Sequence, residues 1–139
     1  MPTVLFLCTG NSCRSQMAEA IVNARYPEWR AYSAGTKPAG YVHEMAIEAL
    51  NEIGIVHSGE SKHINDLPAR DFDLVVTVCD SAAEECPVWP GKAGRRVHHG
   101  FVDPAKAEGT RQERKQVFRQ VRSEMLEVIQ RILNGEGIE

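Results

Sequence analysis

The sequence predicts a single α/β domain over residues 1–139: an open, doubly wound sheet of about four parallel strands with helices on both faces. Two patterns carry this expectation. Short, uninterrupted apolar runs, which suit strands buried on both sides of a parallel sheet, alternate along the chain with stretches of helical periodicity. Composition agrees: 42% hydrophobic and 25% charged residues in a chain of 139 are globular values, enough to bury roughly two-thirds of the unfolded surface without a metal or disulfide staple.

The elements follow in order. Val4–Leu7 is an apolar run expected as the first strand, followed by a polar loop and a helix from Ser15 to Arg25 with Met17, Ala20, Ile21 and Ala24 on one face. Pro27 stops that helix. Ala31–Ala34, closed by Gly35, reads as a second strand. A second helix is expected over 42–53, with Met45, Ala49, Leu50 and Ile53 inward and Gly54 as its stop. Leu74–Val78 is the clearest strand, β-branched and apolar, and Arg95–His98 is a weaker fourth. A last helix spans Arg111–Leu133, with Val117, Val121, Met125, Val128 and Ile132 at steps of three and four, ending at Asn134-Gly135.

Charge and cysteines narrow the function. Sixteen Lys plus Arg against nineteen Asp plus Glu leave a net charge of −3, without the basic excess of a nucleic-acid binder. No apolar stretch approaches the roughly 20 residues of a membrane span, and the start of the chain lacks the pattern of a signal peptide, so a cytoplasmic protein is expected. In that reducing compartment Cys8, Cys13, Cys79 and Cys86 are read as reactive groups, metal ligands or small buried side chains rather than static cross-links. The C-x2-C and H-x3-H spacings of zinc sites are missing, which disfavours a site built from these cysteines with His98 and His99.

In a doubly wound sheet, ligands sit beyond the carboxyl ends of the strands, and there the chain places its cysteines in two pairs. Cys8-Thr9-Gly10-Asn11-Ser12-Cys13-Arg14-Ser15 has the form C-x5-R-S between a strand and a helix. Such a loop points backbone N–H groups at one spot and adds the helix N-terminal dipole, which makes an oxyanion cradle. Gly10 is expected to take the positive φ of the turn. Arg14 can grip two oxygens of a tetrahedral anion, and the same field favours the Cys8 thiolate. Ser15 either hydrogen-bonds that sulfur or caps the helix. Far downstream stands Asp103-Pro104, a general acid beside such a cradle or, alone, a turn.

A cradle with one thiol suffices for a phosphatase, whereas reducing arsenate takes two electrons, which thiols supply by ending as a disulfide. Cys79 ends the Leu74–Val78 strand and Cys86 follows seven positions later. A full helix between them would hold the two sulfurs roughly 10 Å apart, while a disulfide needs Cα atoms within about 7 Å. The acidic segment with Asp80, Glu84 and Glu85, stopped by Pro87, is therefore expected to be helical when reduced and looped out when oxidised.

The C-x5-R-S loop with its distant Asp-Pro resembles the low-molecular-weight protein tyrosine phosphatase superfamily. Residues 8–19, Tyr-Ser-Ala-Gly at 32–35, and Leu-Val-Val-Thr-Val-Cys with Cys-Pro at 74–87 resemble, within it, the thioredoxin-coupled arsenate reductases. The resemblance implies Cys8 as nucleophile, Cys79 as first resolving thiol and Cys86 as the thiol that completes the exported disulfide. It further implies that Thr9, Gly10, Asn11, Ser12, Cys13 and Arg14 hold arsenate (or phosphate or sulfate as mimics), with Ser15 supporting the thiolate and Asp103 as acid. Cys13 is auxiliary or structural. No bound cofactor is expected; the electron donor is external thioredoxin, with glutaredoxin as the other route, and the enzyme is expected to be a monomer. Ala105-Lys106 stands where phosphatases of this superfamily carry aromatic clamps, so phosphotyrosine hydrolysis is the second reading and a non-catalytic oxyanion sensor the third. Some of these reductases hold potassium beside the cradle. Asn11, Glu19, Ser33 and Ser61 match that set, but His63 stands where an Asp is expected, a poor substitute on a hard cation.

Overall fold

A computed structural model of the protein describes residues 1–80 and 86–135. The sheet contains β1 (Thr3–Cys8), β2 (Arg30–Gly35), β3 (Asp71–Thr77) and β4 (Lys92–His98), all pairs parallel, in the order β2-β1-β3-β4. Helices α1 (Arg14–Arg25), α2 (Glu44–Asn51) and α3 (Arg111–Leu133) complete the α/β domain, with short 3-10 turns at Ile64–Asp66 and Pro104–Lys106. The chain leaves β1 toward β2 on one side and returns to β3 on the other. The end of β1 is thus the switch point of the sheet, where loops part and leave a crevice.

Alternation along β1 sorts its side chains between two cores. Val4, Phe6 and Cys8 join Leu74, Val76 and Val78 in a cluster with the inner faces of all three α-helices. Leu5 and Leu7 face the opposite side with Val75, and that side is closed by Trp89, Ile64 and Leu67. The parallel, doubly wound sheet expected from the sequence is therefore present, but its two faces are covered differently. Among the described residues the α-helices share one face, and a 3-10 turn with the Trp89 loop covers the other.

Helix faces shift slightly from the sequence reading. In α1, Val22 is buried and Ala24 exposed; in α3, Phe118 takes the fully buried place while Val117 is only half-buried. In both places the larger apolar side chain offered within the turn faces the core, because burial scales with apolar area. Gly54 and Gly135 have positive φ just beyond α2 and α3, as their role as helix stops requires. Helix α3 starts with a reciprocal capping box, Thr110 Oγ1 accepting from Glu113 N while Glu113 Oε1 accepts from Thr110 N.

Arg111, Lys115, Arg119 and Arg122 pair across to Glu44 and Glu48 of α2 and to Glu52 at its C-terminal cap. Arg122 also donates to Ala49 O at 2.7 Å. This ladder pins α2 against α3. Neighbouring charges on Arg119 and Arg122, through direct hydrogen bonds, hold the Glu52 carboxyl down to about 2.

Candidate active site

β1 ends at Cys8 and α1 begins at Arg14, so the loop between them crosses the switch point. The left-handed residue of the turn is Asn11, φ 47°, not Gly10. Asparagine tolerates that conformation when its side chain is held locally, and here it is held three ways. Asn11 Nδ2 donates to Ser15 Oγ at 2.8 Å, and Asn11 Oδ1 accepts from Gln16 Nε2 and from Lys62 N, each at 2.9 Å. The cost of a left-handed side chain is offset by making Asn11 the pivot of the loop. At Gly35, where β2 passes beneath, an added Cβ would strike Thr9 O and lie 2.8 Å from Cys8 O, so the floor of the loop demands glycine.

The pivot aims donors at the sulfur. Asn11 N donates to Cys8 Sγ at 3.2 Å, and Ser15 Oγ lies 2.8 Å from the same sulfur. With Asn11 Nδ2 donating to its oxygen, Ser15 has its own hydroxyl proton to give to a thiolate. The helix cap is Cys13, so Ser15 sits inside the first turn and supports the sulfur rather than capping. Cys13 is buried, and burial, with the nearby Asp103 carboxylate second, pushes its thiol up to about 12. That shift disfavours the nucleophilic thiolate form.

Arg14 is buried at the mouth of the loop. Its Nη1 donates to Phe101 O at 3.3 Å and its Nη2 lies 3.6 Å from Asp103 Oδ2. Asp103 is in turn fixed as the cap of the Pro104–Lys106 turn, Oδ1 accepting from Ala105 N at 3.0 Å. Asp-Pro is thus a turn whose Asp103 also faces Arg14. Cys8, Gly10, Asn11, Ser12, Cys13, Arg14 and Asp103 line one cavity of about 190 Å³, with Ala39, Tyr41, His43 and Ala105 completing it. Thr9 does not line it; its carbonyl accepts from Lys37 N.

The second pair of cysteines lies next door. Leu7 pairs with Thr77 and Val78 N donates to Leu7 O at 2.9 Å, which brings Cys79 one residue past the point opposite Cys8. Both sulfurs belong to the same buried cluster, and Cys86 packs against it. Cys79 and Cys86 form a disulfide with Cα atoms 5.8 Å apart. Cys8 and Cys13 are free thiols. The expected acidic helix, with Glu84 and Glu85, lies outside the described residues. His99 stacks near Phe101 and His98 Nδ1 meets Thr77 Oγ1 at 2.6 Å. Among the described residues no three His, Cys, Asp or Glu side chains gather as for a metal ion.

Behind the cradle is a network that the loop motif did not announce. Gln16, fully buried on α1, donates through Nε2 to Asn11 Oδ1, Asn11 O and Glu60 O, and its Oε1 lies 2.7 Å from His57 Nε2. An amide oxygen only accepts, so His57 carries its proton on Nε2. Burial, aided by the Lys62 charge, lowers the His57 pKa and keeps the ring neutral. A buried glutamine on the inner face of a helix was a legible signal; His57 and Lys62 come from a stretch without periodicity.

Comparisons with known proteins agree with this geometry. The family model described as low molecular weight phosphotyrosine protein phosphatase matches residues 3–134. The arsenate reductase of Shouchella clausii is 49% identical over 127 residues, 88% of either chain. A solved arsenate reductase in the phosphate binding state superposes with a TM-score of 0.78 at 29% identity, covering 97% of this chain and 98% of that one. The thioredoxin-dependent arsenate reductase of Corynebacterium glutamicum gives 0.67 at 26% identity, covering 98% of this chain and 64% of that one. The chain therefore belongs to the low molecular weight phosphotyrosine protein phosphatase family, among its arsenate reductase relatives.

Proposed function

We propose that the protein reduces arsenate to arsenite by passing oxidation along Cys8, Cys79 and Cys86. The Cys8 thiolate attacks the arsenic of an anion held by Arg14 and the amides of residues 10–13. One oxygen leaves as water, with Asp103 supplying a proton. Cys79 then attacks the Cys8 sulfur; the S–As bond breaks, arsenite departs with the bonding pair, and a Cys8–Cys79 disulfide remains. Cys86 attacks Cys79, freeing Cys8 as a thiolate and leaving the Cys79–Cys86 disulfide.

One observation carries this reading above the phosphatase alternative: the Cys79–Cys86 disulfide, just past the end of the strand beside the nucleophile. A cysteinyl-phosphate route needs water, not a pair of thiols. Cys86 is only partly buried and lines a groove of about 440 Å³ with Pro87, Val88 and Trp89, which suits attack by an external dithiol such as thioredoxin. Arsenate, with phosphate or sulfate as mimics, is the substrate class in this reading. The enzyme acts without a bound cofactor, as a monomer in the cytoplasm. No helix among the described residues is long and apolar enough to cross a membrane.

The test is NADPH consumption with arsenate, thioredoxin and thioredoxin reductase, run beside hydrolysis of an aryl phosphate. Cys79→Ser is expected to abolish multiple-turnover reduction and to spare any slow phosphatase activity. If that variant keeps both activities at the original rate, the reading is wrong.

A further inference from the structure

Some of the reductases that the chain resembles hold potassium beside the cradle, and Asn11, Glu19, Ser33 and Ser61 match that set, but the residues present do not fit an alkali ion. Asn11 Oδ1 already accepts from two donors. Ser33 Oγ donates to Glu19 Oε1 at 2.9 Å, and Ser61 Oγ donates to Gly10 O at 3.1 Å while accepting from Gly40 N. His63 turns away: its Nδ1 accepts from Asn65 N at the head of the 3-10 turn. The carbonyl of Ser33, a further oxygen of the kind a hard cation seeks, is taken by Lys62 Nζ at 3.1 Å.

We propose that Lys62 is the built-in cation of the cradle, a positioning residue whose ammonium, linked through Ser33, balances the half-buried Glu19 carboxylate and whose backbone locks Asn11. Its two ends act on one network. Lys62 N fixes the Asn11 amide, which fixes Ser15 and the Asn11 N–H on Cys8 Sγ. Lys62 O accepts from Gly35 N, tying the same residue to the glycine beneath the loop. The ammonium end holds the backbone of Ser33, whose hydroxyl holds Glu19. Burial pushes the Glu19 pKa up, and the Lys62 charge is the foremost influence opposing it. His57 Nε2 lies 3.9 Å from Glu19 Oε2, and burial, with the Lys62 charge second, lowers its pKa and so disfavours a second positive charge there.

Phosphate binding by calorimetry and thermal unfolding test this without arsenate turnover, so the inference can fail while the arsenate reading stands, or the reverse. For the unaltered protein, potassium chloride and choline chloride at equal ionic strength should give the same phosphate affinity and melting midpoint. Lys62→Met should weaken phosphate about tenfold, the usual scale for an outer partner of a charged site. Lys62→Arg should stay within about twofold of the original affinity, and the Glu19→Gln/Lys62→Met double variant should recover most of the loss, because both charges are gone. A saturable gain from potassium in the unaltered protein would overturn the proposal. So would undiminished binding in Lys62→Met, or a double variant as weak as the single one. Should Lys62→Met fail to fold, the double variant and the ion comparison decide the matter.

Discussion

At the residue scale the site is a chain of donors with the sulfur at its end. Gln16 and Lys62 orient Asn11, Asn11 orients Ser15, and Ser15 faces Cys8 Sγ at 2.8 Å. Hydrogen bonds to a charged acceptor contribute about 1.5–3 kcal/mol, so removing the last one should slow the first chemical step by roughly tenfold or more. Ser15→Ala is therefore expected to lower the single-turnover rate on arsenate by that factor, measured by rapid quench. Ser15→Thr, which keeps the hydroxyl, should retain most of the rate. An unchanged rate in Ser15→Ala would mean that the backbone of Asn11 and the helix dipole suffice. The loop was readable in advance because C-x5-R-S fixes chemistry at fixed spacing. The left-handed turn residue was not: intrinsic freedom points to Gly10, while the conformation goes to Asn11, whose side chain finds partners from distant parts of the chain.

At the element scale, α1 carries the cradle, and α2 is held against α3 by the glutamate–arginine ladder. Glu52 has its folded pKa depressed from 4.5 to about 2 by Arg119 and Arg122. A depressed carboxyl lends stability that is present above its unfolded value and lost as pH falls through the folded one. The melting midpoint should consequently fall as pH drops from about 4.5 toward 2, and Glu52→Gln should flatten that slope while lowering the midpoint near neutrality. An equally steep acid slope in Glu52→Gln would show that the ladder is not its source. Sequence periodicity located the three α-helices of the described residues within two residues at each end, since burial of one face imposes it. The ladder escaped that reading because a charge run shows its sign and spacing but not which helix lies opposite. The start of β3 at Asp71 likewise escaped it. Asp73 Oδ2 accepts from Thr3 N at 2.7 Å, a contact seventy residues away in the chain that extends the strand over polar ground.

At the scale of the whole molecule, the β2-β1-β3-β4 order explains why the cysteines meet. Pairing of β1 with β3 brings two chain segments about seventy residues apart side by side, so Cys8 at the end of β1 and Cys79, two residues past the end of β3, enter one buried cluster. Alternation of strands and helices made that sheet legible. What periodicity could not give was the cover on its second face, where the 3-10 turn at Ile64–Asp66 and Trp89 do the packing, nor the Lys62 and His57 side of the cradle. Both belong to stretches without repeat, placed by tertiary contacts alone.

The proposed relay oxidises three sulfurs in a set order, which mapping the disulfides by mass spectrometry after one equivalent of arsenate reads out. The reduced protein should end with Cys79 joined to Cys86, and Cys86→Ser should stop one step earlier with Cys8 joined to Cys79. Cys13 should stay free in both. A bond from Cys8 to Cys13, or an unaltered set of thiols with arsenite nonetheless formed, would contradict the account.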